Sequence, residues 1–155
     1  MGFRLLALVS FLGLVFSAVC HAMAWMGLPP PGGMATFAGL HLGIFVVWFP
    51  LVASANRTMP PGAKNNLDHL TALLPNWVRK VETALTVYAV ANFLVFIYQA
   101  MHYSKHELPR AIMLRGFSGH WMLFYGAATA GFVALARLTR QKAATGEHRD
   151  RPLVR

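Results

Sequence analysis

The sequence predicts an all-α integral membrane protein: an up-down bundle of four transmembrane helices, with a short helix on the inner surface in the middle loop. Three observations predict it. Of 155 residues, 56% are apolar and only 12% are charged, a balance foreign to soluble domains of this size. The charges are also gathered so that three runs contain none: 52 residues from Leu5 to Asn56, then Thr83 to Ser104, then Gly116 to Ala136. About 20 helical residues cross a bilayer core about 30 Å thick, so the first run suffices for two crossings and each of the others for one. Finally, residues 28–33 read LPPPGG. Three consecutive prolines supply no backbone donor and cannot continue a helix, so the first run breaks there.

The first helix is expected over residues 3–27. A basic start followed by LLALVSFLGLVFSAV also resembles a secretory signal, and CHA offers a poor small-residue cleavage site. The apolar stretch nevertheless continues through MAWMGL to about 24 residues, beyond the roughly 7–15 of a signal core, which favours a retained helix. Cys20 is the sole cysteine, so no internal disulfide forms, and in this apolar setting it reads as an inert thiol. The second helix is expected over 36–55, with Pro50 near its inner end removing one hydrogen bond. In the loop after it, NNLDHLTALLP spaces Leu67, Leu70, Leu73 and Leu74 on one helical face, with Asn66 or Asp68 as cap and Pro75 as stop. That is the surface helix. The third and fourth helices are expected over 76–106 and 117–138, completing a membrane domain of residues 1–138. The tail, 139–155, is basic, lacks apolar periodicity and reads as disordered.

Basic residues orient the bundle. Arg4, the middle loop (Arg57, Lys64, Arg79, Lys80) and the tail (Arg137, Arg140, Lys142, Arg149, Arg151, Arg155) put eleven of the 14 positive charges on one side, against Lys105, Arg110 and Arg115 on the other. The positive-inside rule then places both termini in the cytoplasm of a bacterial-type inner (plasma) membrane. Trp25 and Trp121 fall at outer ends, and Trp48 and Trp77 at inner ones, where amphipathic rings settle. The net charge of +9 is accounted for by anionic lipids at the inner face, so no nucleic acid is implied. Glu82, beside Arg79 and Lys80, reads as a surface ion pair.

Five of seven histidines, His21, His41, His102, His106 and His120, lie in the outer half. With a rise of about 1.5 Å per residue, His21, His41 and His120 sit about 10, 7 and 5 Å below the outer ends of their helices. Ionisable groups in a bilayer are costly and face the bundle interior. Helical phase agrees. Tyr88, Asn92, Gln99, His102 and His106 form one stripe of the third helix. His21 aligns with Ser10 and Ser17, and His120 with Gly116, Ala127, Gly131 and Ala134, small residues that permit close helix approach.

Two readings follow. In the first, the histidines lock helix packing in a non-catalytic accessory or assembly subunit of a larger membrane complex or homo-oligomer. This reading is favoured, because no G-x-S-x-G, P-loop, HExxH or CxxC motif occurs. In the alternative, the protein handles metal or electrons. Haem b would use His120 opposite His21 or His41, across a gap lined by Gly13, Gly116 and Gly131. Copper would draw on His21, His41, His102, His106 and His120 beside the methionines of the outer half. Zinc has no fitting pattern.

Overall fold

The computed structural model describes residues 2–58, 70–103 and 108–149, with side chains of the last helix described through residue 144. It has four long helices and, among the described residues, no strand: α1 (Gly2–Trp25), α2 (Met34–Thr58), α3 (Asn76–His102) and α4 (Arg110–Arg149). All four are long and apolar enough to cross a membrane.

The helix ends follow local chemistry. Gly27 takes a left-handed φ of 72°, while Leu28 N–H donates to Met23 O (2.9 Å) and Gly27 N–H to Ala24 O (3.2 Å). These are the two bonds of a Schellman cap, which satisfies the orphan carbonyls of α1. The prolines follow, and Gly32 and Gly33, also at positive φ, turn the chain into α2. Pro75 and Pro109 stand just before α3 and α4, and the Pro109 carbonyl accepts from Ile112 and Met113 N–H at 3.0 and 3.2 Å. Pro50 lies inside α2 without ending it.

Four boundaries differ most from the sequence expectation. α4 starts at Arg110 rather than at 117, because Pro109 opens a helix whose first turns tolerate the charges of Arg110 and Arg115. It also runs to Arg149, through much of the stretch expected to be a disordered tail. Hydropathy fails after Leu138, but helix propensity does not: Arg140, Gln141, Lys142, Ala143 and Ala144 are all good helix formers. α3 ends at His102, short of 106, and α2 continues to Thr58. Most of the surface-helix stretch lies outside the described residues; its end, residues 70–72, is helical. Leu70 and Leu74 are buried there against the bundle.

α4 is the hub. It packs most extensively on α1, then on α3 and α2, and α1 touches α2 only lightly. Phe3 lies against Phe132 and His21 against Ser118, so α1 runs antiparallel to α4. α3 does likewise, with Leu85 over Gly126 and Asn92 over Gly119. α2 runs parallel to α4, with Phe37 on Phe117, Trp48 on Phe124 and Leu51 over Gly131. Trp121, Phe132, Leu135, Val47 and Leu51 form the most deeply buried part of the core. Large apolar side chains such as Leu5, Leu8 and Leu12 of α1, Val46 and Phe49 of α2, and Val90 and Leu94 of α3 point outward.

Candidate functional site

On α1 the face read from helical phase is the buried one: Ser10, Ser17, Cys20, His21 and Ala24. On α3 the predicted stripe is mixed, with Asn92 buried and Tyr88 and His102 exposed. Ser10 and Ser17 spend their hydroxyls on the carbonyls of Leu6 and Gly13, four residues back, at 2.8 and 2.7 Å, which removes their polar groups from the interface.

His21, only 7% exposed, is the polar centre of the bundle. Its Nδ1 lies 2.7 Å from Ser118 Oγ, and Ser118 Oγ–H donates to Arg115 O at 3.2 Å. Ser118 therefore accepts from His21, and Nδ1 carries the proton. Nε2, the remaining lone pair, accepts from Trp25 Nε1–H at 3.0 Å and from the Tyr88 hydroxyl. Indole nitrogen can only donate, so a single tautomer, neutral with Nδ1–H, satisfies every contact at once. Three helices meet on one imidazole: α1 supplies it, α4 supplies Ser118 and α3 supplies Tyr88.

The network extends to the helix ends. The Arg115 guanidinium lies 4.5 Å from the centroid of the Trp25 ring, a cation–π contact, and its Nη2 donates to Gln99 Oε1 at 2.6 Å. Asn92 Nδ2 donates to the carbonyls of Arg115 (2.9 Å) and Gly116 (3.2 Å). Tyr88, Asn92 and Gln99 of the predicted α3 stripe thus all bond to α1 or α4. Ser118 and Arg115 escape the sequence reading: the first is one hydroxyl among many, and the second lies before residue 117, where the fourth helix is expected to start.

The other histidines have separate surroundings. His41 accepts at Nδ1 from Trp121 Nε1–H (3.4 Å), with its ring parallel to Phe37 and edge-on to Phe117. His120 donates from Nδ1 to Gly116 O of its own helix (3.2 Å) and stands edge-on to Phe93, ring centroids 4.3 Å apart. His102 is exposed and bonds Tyr98 O at 2.7 Å. His106 lies outside the described residues. Among the described residues no three of His, Cys, Asp or Glu gather as a metal-binding group, and Cys20 is a buried free thiol.

The glycines expected to line a cofactor gap are occupied by neighbouring side chains. A Cβ on Gly13 would meet the Tyr125 ring at 2.5 Å, one on Gly116 the Phe96 ring at 2.5 Å, and one on Gly131 the Leu51 methyl at 2.7 Å. Gly43 receives the Tyr125 hydroxyl, which donates to Leu40 O at 2.9 Å. Tyr125 is thus a wedge between α1 and α2, seated on a glycine of each. Glu82 departs from the expected ion pair: its carboxylate lies over Gly126 between α3 and α4. Comparison with protein-family models, with curated proteins and with solved structures finds no match to this chain.

Proposed function

We propose that this chain is a multi-pass inner-membrane protein, an up-down four-helix bundle with both termini cytoplasmic, acting as a non-catalytic accessory or assembly subunit. His21 and His41 serve as helix-to-helix locks. The observation that carries this reading is His21, whose two ring nitrogens are both committed to side chains of its own helix, α3 and α4. A ligand nitrogen needs a free lone pair, and the one on His21 already receives two donors. The filled glycine positions support the same reading, since a macrocycle between helices needs that space. A partner is favoured by α3, whose apolar stretch is only 11% buried within the chain, leaving Val81, Val87, Val90 and Leu94 turned outward. Basic residues at the cytoplasmic face hold the bundle to anionic lipid.

The test is spectroscopic and biochemical together. Protein purified in mild detergent is expected to show no Soret band and no stoichiometric copper, and to migrate on native gels in a complex larger than one chain. A Soret band or copper abolished by His120→Ala, with the protein still inserted, would replace this reading with the haem b or copper alternative.

A further inference from the structure

We infer that Arg4 and Arg140 form a site for the phosphate of an anionic phospholipid, in a cleft where α1 enters the bilayer beside the projecting end of α4. The cleft, of about 460 Å³, is lined by Phe3, Arg4, Ala136, Thr139, Arg140 and Ala143. The α4 side of it, residues 136, 139, 140 and 143, is one helical face, spaced i, i+3, i+4 and i+7. It exists because α4 continues past the first residues of α1. Were the helix to end at 138, Arg140 would have no fixed place opposite Arg4.

Charge decides the occupant. Two arginines line one cleft, no carboxylate joins them among the described residues, and the Thr139 hydroxyl is turned to Leu135 O at 2.9 Å. Like charges held together destabilise each other unless an anion sits between them, and the guanidinium fork matches phosphate oxygens with two parallel hydrogen bonds. At this depth the abundant anion is the lipid phosphodiester. Below Arg4 an outward apolar strip, Leu5, Leu8 and Leu12, runs along α1 and offers an acyl chain its path into the bilayer. A free phosphate ion would gain nothing from that strip. The basic pocket between membrane helices at the cytoplasmic side is a recurring place for such headgroups. The inference rests on the membrane orientation proposed above.

Native mass spectrometry of the full chain, released from detergent with phosphatidylglycerol, phosphatidylcholine or inorganic phosphate, tests it. The wild type is expected to retain phosphatidylglycerol over phosphatidylcholine, with millimolar phosphate failing to displace it. R4Q/R140Q should weaken that retention about thirtyfold, from about 1 kcal/mol per basic residue. R79Q/K80Q, which removes equal charge from α3 at the same end, should keep it. Equal loss in both variants, loss in neither, or full displacement by phosphate would overturn the site. Should R4Q/R140Q fail to accumulate, R4K and R140K keep the charge but lose the fork; unchanged retention in both would also overturn it. Alkaline carbonate extraction separates the two levels: release of the chain from membranes defeats the membrane reading, whereas a retained chain without lipid preference defeats only the site.

Discussion

Substituting Gly13 with alanine probes a tight helix contact. The added methyl would meet Tyr125 Cδ1 and Cε1 at 2.5 Å and Cγ at 2.9 Å, so the ring edge would have to retreat by about 1 Å to reach ordinary contact. It has little room to do so. Tyr125 is 4% exposed, and its hydroxyl is tied to Leu40 O at 2.9 Å on the far side, over Gly43. Overpacking costs about 1–3 kcal/mol, and stretching the buried hydrogen bond costs a further 0.5–1.5 or so. Alanine recovers about 1 kcal/mol of helix propensity, leaving a net loss of about 0.5–3.5 kcal/mol. The assay is unfolding in mixed micelles by detergent titration, followed by tryptophan fluorescence. Gly39→Ala is the control, because a Cβ there meets nothing within 4 Å; it should be neutral or slightly stabilising. A Gly13→Ala protein as stable as the Gly39→Ala protein would refute the wedge.

Three further outcomes are expected. Asn92→Ala should lower stability by about 1 kcal/mol through loss of its bonds to the Arg115 and Gly116 carbonyls. Because a Cβ on Gly119 meets Asn92 Nδ2 at 2.4 Å, Gly119→Ala should be harmful in the wild type and harmless in the Asn92→Ala background, in the same titration. Leu51→Ala, at a side chain 1% exposed, should cost about 2–5 kcal/mol, whereas Leu12→Ala, 58% exposed, should change stability by less than about 0.5. A reporter fused after Arg155 should read as cytoplasmic; a periplasmic signal would mean an odd number of crossings.

Much of this architecture was legible in the residues. Uncharged runs and LPPPGG gave four apolar helices and the first turn, and helical phase picked the buried face of α1 and the Tyr88, Asn92 and Gln99 stripe. What escaped was partner choice. Phase says which way a face turns on its own helix but not which neighbour fills it, so nothing pointed to α4 as the hub or to Tyr125 as the side chain occupying Gly13 and Gly43. The histidines illustrate the same limit. Depth put His21, His41 and His120 close together along the bundle axis, but one helical step separates the Trp121 side of α4, where His41 packs, from the Phe93 side, where His120 stands. Arg115 escaped for another reason: a charge in a helix looks costly until an indole face and an amide receive it.

The central claim is that His21 is a lock between helices, and a double-mutant cycle measures a lock directly. Tyr88→Phe removes only the hydroxyl that donates to His21 Nε2, and His21→Ala removes its acceptor. The account predicts a favourable coupling of about 0.6 kcal/mol in unfolding free energy, and at most about 1.7, the average and the maximum for hydrogen bonds between membrane helices. Additive effects of the two substitutions would contradict it.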